Sequence, residues 1–153
     1  MSERFPLAYL FPLRILCGVI LLLEGWSKLQ GDWLHGNPLV TTLGHWMEAD
    51  KPYGFFLPMV KVAYAHPKIF GALVTIGELV VGLSFLAGVL TRIGAALGAL
   101  MLFGFAFGNG QGLVPPCNAL LMGALCVLFV FAPPGRFLGV DSVLRNRLPR
   151  WMV

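Results

Sequence analysis

IGAALGALMLFGFAFGNGQGLVPPCNALLMGALCVLFVFAPPG, residues 93–135, runs for 43 positions without a charged side chain. A membrane crossing needs about 20 mostly apolar residues. The run is too long for one crossing and about right for two. In its middle, GNGQGLVPP (Gly108–Pro116) brings together Gly, Asn and Pro, the residues of turns. The stretch therefore reads as two helical spans, at about 93–110 and 117–134. Pro133, Pro134 and Gly135 stop the second one sharply.

Two more spans lie upstream, at about 7–29 (LAYLFPLRILCGVILLLEGWSKL) and 68–90 (KIFGALVTIGELVVGLSFLAGVL). Only Thr91 and Arg92 separate the second span from the third, which predicts a tight antiparallel hairpin. The first two spans are joined by residues 30–67, a long connection for a compact fold. It carries Trp33, Trp46, Tyr53, Phe55, Phe56 and Tyr64 among polar residues, a mixture suited to headgroup depth. Pro58–Ala65 reads as a short helix against the membrane, or as part of an ordered extracytoplasmic loop on the bundle. The predicted fold class is all-α: an integral membrane four-helix bundle with a long aromatic loop between helices 1 and 2. Residues 1–153 form one domain, with 30–67 outside the cell membrane and 135–153 as a cytoplasmic tail.

Composition agrees. Of 153 residues, 58% are hydrophobic and 12% charged, against roughly 25% charged in a soluble domain. Mean hydropathy is +0.80. A soluble globular enzyme and a disordered chain are both excluded. The net charge of +4 fits basic loops facing anionic headgroups and does not call for nucleic acid. The opening MSERFPLAYLFPLR lacks a basic segment ahead of an apolar one and a small-residue cleavage site, so it reads as the start of the mature protein.

Basic residues set the orientation. Arg4, Arg92, Arg136, Arg145, Arg147 and Arg150 fall on the side of the termini. The other side has Lys51, Lys61 and Lys68, offset by Asp32, Glu48 and Asp50. This predicts a multi-pass inner (cytoplasmic) membrane protein with both termini in the cytoplasm.

The informative residues are charges inside spans, because each costs at least about 2.5 kcal/mol at the bilayer centre and so needs a partner. Span one has Arg14, Glu24 and Lys28, span two has Glu78, and Arg92 sits at the inner end of span three. Arg14, Gly18, Leu21, Gly25 and Lys28 recur at helical spacing on one face, and Glu24 precedes Lys28 by four residues, the favourable order. Aligning spans one and two antiparallel puts Gly18 level with Leu79. Glu78 is then expected to pair with Arg14 first and Lys28 second. Two readings stand: a buried pair that fixes helix register, or an intramembrane pocket lined by Arg14, Glu78 and Arg92. Such a pocket suits a quinone head group, whose carbonyl oxygens want donors and whose reduction needs protons.

Gly94–Gly98 and Gly104–Gly108 make small-xxx-small steps for close helix packing. His35, His45 and His66 match no zinc or haem spacing. Cys17, Cys117 and Cys126 form no CxxC and read as apolar fillers. No haem, flavin or metal site is evident.

Several blocks resemble one family. LRILCGVILLLEGWSKL, GELVVGLSFLAGVLTRIGA and APPGRFLGVD are similar to the opening, central and closing signatures of DoxX/DoxD-like membrane proteins. Trp33 and YGFFLP resemble the DoxD branch, the small membrane subunit of thiosulfate:quinone oxidoreductase. The resemblance implies a four-helix membrane protein in a redox complex, with electrons passing from a sulfur donor or partner subunit to quinone. By motif match it implies roles for Glu78 and Arg14 in catalysis. It also makes Arg14, Lys28, Glu78 and Arg92 the counterparts of the family's recurring polar positions, which on the quinone reading hold the head group, and Arg136 and Asp141 match its closing motif as structural residues.

The competing expectation is a non-catalytic membrane scaffold for a soluble redox partner, with a small transporter behind it. A quinone site predicts a lipid-accessible pocket beside Glu78 and bound quinone. A scaffold predicts Glu78 fully paired, no cavity, and a partner on the aromatic loop or on Arg145–Arg150. The expected surroundings are the lipid bilayer, quinone and a second oxidoreductase subunit. A homodimer is compatible with 16.7 kDa and glycine-lined helices.

Overall fold

The computed structural model describes residues 4–50, 52–109, 118–144, 147 and 149. The expected turn around 110–116, Cys117, Lys51 and the tail arginines Arg145 and Arg150 lie outside them. The described residues are helical, with no strand. Helix α1 spans Arg4–Gln30, α2 Asn37–His45, α3 Leu57–Ala65, α4 Pro67–Ala87, α5 Thr91–Gly108, α6 Asn118–Phe131 and α7 Asp141–Leu144.

Proline marks three of the starts. Pro38, Pro58 and Pro67 each stand in the first turn of α2, α3 and α4, where no intrahelical N–H is lost. The hairpin between α4 and α5 turns on Gly88, at φ 64°. A Cβ there would meet the Arg14 guanidinium at 2.6 Å and Gly139 Cα at 2.7 Å, so glycine serves both the left-handed turn and the packing.

Three helices are long and apolar enough to cross a membrane: residues 8–30 of α1, α4, and α5. The fourth expected span is shorter in regular helix, since α6 has 14 residues. One apolar core nevertheless joins all four, through Cys17 and Leu21 of α1, Val81 and Phe85 of α4, Ala95, Ala99 and Leu102 of α5, and Cys126 and Phe129 of α6. Outward-facing Ile69, Leu73, Ile76, Val80 and Leu83 run along α4 as an exposed apolar stripe. Such a face belongs in lipid.

The connection expected as a long loop is instead mostly helical. Leu39 and Leu43 of α2 and Val60 and Ala63 of α3 make a second small core, flanked by Trp33, Trp46, Met47, Phe56 and Phe70. The helix expected at Pro58–Ala65 is present as α3. The aromatic residues therefore pack inward as well as outward, and α2 and α3 form a compact layer against the end of the bundle.

The α1–α4 register differs from the expected one by about a turn. A Cβ on Gly18 would lie 3.1 Å from the Gly82 carbonyl oxygen, and one on Gly82 would lie 3.0 Å from that of Gly18. The two backbones touch at this glycine pair, so Gly18 is level with Gly82 and not Leu79. Gly25 is then the residue that faces Leu79 and Glu78. Gly82→Val should force these helices apart and cost at least about 1–3 kcal/mol, as overpacking does. Thermal unfolding in detergent measures this, and an unchanged melting temperature would show that the contact does not set the register.

Candidate functional site

That register decides which charges meet. Glu78, 3% exposed on α4, faces the C-terminal part of α1. Lys28 Nζ lies 2.9 Å from both of its carboxylate oxygens. It donates an aligned hydrogen bond to Oε1. Oε2 is buried and receives no hydrogen bond from the described residues. Lys28 also reaches Glu24 Oε2 at 3.3 Å, one turn back on α1, where the Glu24 side chain is 62% exposed. The ammonium is further held by two aromatic faces, with Nζ 5.5 Å from the Trp33 ring and 5.9 Å from the Phe105 ring. Both distances fall within cation–π range.

The expected pairing of Glu78 with Arg14 is thus corrected, and its second choice, Lys28, is the partner found. Arg14 lies 14 residues from Lys28, about 21 Å along a helix. Its guanidinium belongs to a different cluster. Nη1 donates to the Pro134 carbonyl at 3.1 Å and the Phe137 carbonyl at 3.4 Å, and Nη2 to Leu138 at 3.3 Å. Arg14 is 1% exposed and rests on the Phe11 ring, 4.9 Å away. Helix α5 joins this end, where Arg92 Nε donates to the Val130 carbonyl at 2.8 Å in the last turn of α6. Glu78 and Lys28 are therefore together, while Arg14 and Arg92 stand at the opposite end of the bundle.

Asp141 organises that opposite end. It is fully buried. Its carboxylate accepts from Leu90 N at 2.6 Å, Thr91 N at 2.9 Å and Thr91 Oγ1 at 2.6 Å. These are donors at the start of α5, where a helix has free N–H groups and favours negative charge. The N–H groups of Val140 and Asp141 donate to the carbonyls of Ala87 and Gly88 at the end of α4. The segment after α6 thereby caps α4, α5 and, through Arg14, itself. Arg136 lies in the short turn Pro134–Arg136 of the same segment.

A cavity of about 340 Å³ opens beside the Lys28–Glu78 pair. Glu24, Lys28 and Glu78 supply its polar wall. Trp33, Trp46 and Phe105 supply aromatic faces, and Leu39 and Thr42 of α2 roof it. Its size is at the small end for a ligand pocket, enough for one substituted ring. An apolar and aromatic lining with a few convergent polar groups is the usual make-up of such sites. The donor set fits a carbonyl-bearing ring: an ammonium to donate, a carboxylate to hold a proton, and flat faces to stack. Sequence reasoning named Lys28 and Glu78 but missed Glu24 as a wall, and Trp46 and Phe105 as lining. The Trp33–Lys28 proximity had a signal in the short WSKLQGDW spacing. Phe105 had none, since α5 offers several phenylalanines at similar depth.

No group of three or more His, Cys, Asp or Glu able to hold a metal occurs among the described residues. His35 pairs with Asp32 on the turn after α1. Cys17 and Cys126 are both buried, unbridged thiols.

The DoxX family model matches residues 9–109, a stretch holding Arg14, Glu24, Lys28, Glu78 and Arg92. No curated protein and no solved structure matches the chain.

Proposed function

The chain belongs to the DoxX family, and from that premise we propose that it is the membrane subunit of a quinone-linked oxidoreductase. The quinone head group binds in the cavity beside Glu78. Electrons come from a sulfur-compound donor or a partner subunit, as the resemblance to the DoxD subunit of thiosulfate:quinone oxidoreductase implies. In this reading both termini are cytoplasmic and the α2–α3 layer is extracytoplasmic. In this reading α6 is the fourth crossing.

One observation carries the proposal: a buried carboxylate paired with a single ammonium at 2.9 Å, on the wall of an aromatic cavity. Bound quinone would supply the electron acceptor, taking up two electrons and two protons. Lys28 would donate to a carbonyl oxygen of the ring and hold it against the wall. Trp33, Trp46 and Phe105 would fix the ring plane and exclude water. Glu78, a carboxylate paired with Lys28 at rest, would take up a proton and pass it to the ring.

The alternative is the scaffold, favoured by the Lys28–Glu78 pair itself, which explains a buried carboxylate without any ligand. Extraction and mass spectrometry of lipophilic cofactors from gently purified protein separates the two. Stoichiometric quinone in the wild type, lost in folded Glu78→Gln, is the expected result. No quinone in either protein would overturn the proposal in favour of the scaffold.

A further inference from the structure

Glu24 is the residue of this site that the proposed function does not use. Its side chain is 62% exposed and pairs with Lys28 at 3.3 Å. It also lines the cavity. Glu24 stands six residues before the end of α1 at Gln30, about 9 Å along the helix axis. An exposed carboxylate at that depth cannot rest in hydrocarbon without a cost of several kcal/mol. It therefore faces water at the mouth of the cavity. From Glu24 the polar atoms continue inward, to Lys28 Nζ at 3.3 Å and on to Glu78 at 2.9 Å, where exposure falls to 4%.

We propose that Glu24, Lys28 and Glu78 form a proton path from water on the α2–α3 side to the ring-binding cavity, with Glu24 as its outer exchange group. Its use rests on the quinone reading. Per ring reduced, two electrons come from the sulfur donor or redox partner and two protons come by this path. In each passage the Lys28 ammonium gives a proton to the Glu78 carboxylate, Glu78 would pass it to one ring carbonyl oxygen, and Glu24 returns a proton to Lys28 from water. Oxidation runs the same transfers backwards. No group at the Arg14 end takes part, so protons are exchanged on one side only.

The charged groups acting on Glu78 are Lys28 and Glu24, both from α1. The turn after α1 carries the exposed Asp32–His35 pair, and the faces that α5 and α6 turn to the cavity, Leu102, Phe105, Ala119 and Met122, are uncharged.

The path can be tested without turnover. Infrared difference spectra after an acid jump, on the full chain in liposomes, follow the carboxyl band that Glu78→Gln removes. Glu24→Gln should slow the appearance of that band about a hundredfold, the low end for losing a positioned proton-transfer group. Glu24→His, which keeps a titratable group, should restore most of the rate. Equal rates in wild type and Glu24→Gln would overturn the path, as would a Glu78 band that never moves. Quenching of Trp33 and Trp46 by a short-chain benzoquinone, measured on the same samples, reports the ring site separately. Loss of quenching in the wild type would refute the ring site and leave the proton transfer measured.

Discussion

Asp141→Ala is expected to destabilise the protein by about 3–5 kcal/mol, the range for removing one member of a buried charged network. The carboxylate takes three donors from the hairpin between α4 and α5, two of them backbone N–H groups with no helical acceptor. Water cannot replace it, because Asp141, Thr91 and Gly135 are all buried. A Cβ on Gly135 would meet Asp141 Oδ2 at 2.5 Å, so the pocket around the carboxylate is closed. Alanine would leave the Leu90 and Thr91 N–H groups and the Thr91 hydroxyl unsatisfied, each at about 1–3 kcal/mol if nothing relaxes. Relaxation of the tail keeps the sum below that total. Asp141→Asn should be milder, since one amide oxygen still accepts. The measurement is thermal or denaturant unfolding in detergent, with melting temperature falling in the order wild type, Asn, Ala. A wild-type melting temperature for the alanine variant would mean that the tail does not close the hairpin.

The importance of Asp141 could not be read from its own neighbourhood. In the sequence it is one acid in the tail, 50 residues beyond the start of the helix it caps. The APPGRFLGVD block marked it only through resemblance. The long apolar segments were legible because lipid imposes one requirement on each of them, a run of about 20 apolar residues with internal hydrogen bonds. The residues 30–67 were harder, because their short helices are held by contacts between α2 and α3 and not by strong local patterns. Charges inside the spans identified the participants of both clusters. Partner choice depended on a shift of one helical turn between α1 and α4. Aligning the spans by their ends misses that shift. The Gly18–Gly82 contact fixes it, and both glycines were visible in the sequence, but their mutual contact was not. One turn is enough to exchange Arg14 for Lys28 as the partner of Glu78, and with it the end of the bundle that carries the cavity.

Lys28→Met should therefore expose what the pair does. It removes the cation that faces Glu78 and leaves a carboxylate, 3% exposed, beside Glu24 and no compensating charge. Breaking a buried pair in this way costs about 3–5 kcal/mol. Glu78→Leu should cost less, because Lys28 keeps Glu24 at the mouth of the cavity and its long stem can turn outward. Replacing both, as Lys28→Met with Glu78→Leu, swaps an ion pair for apolar contact of similar volume and should recover most of the loss. The cycle closes with a coupling energy of about 2–3 kcal/mol, the upper range for contacting residues. Unfolding of the four proteins in one detergent measures it. A Lys28→Met variant as stable as wild type would mean that Glu78 does not carry its charge in the folded protein. The doubly substituted protein has a second use. On the proposed quinone site, it should keep most of the wild-type stability yet retain no quinone, since neither the ammonium nor the carboxylate remains to hold the ring. Quinone retained by that variant would place the ring elsewhere, because the aromatic wall alone cannot orient a carbonyl oxygen.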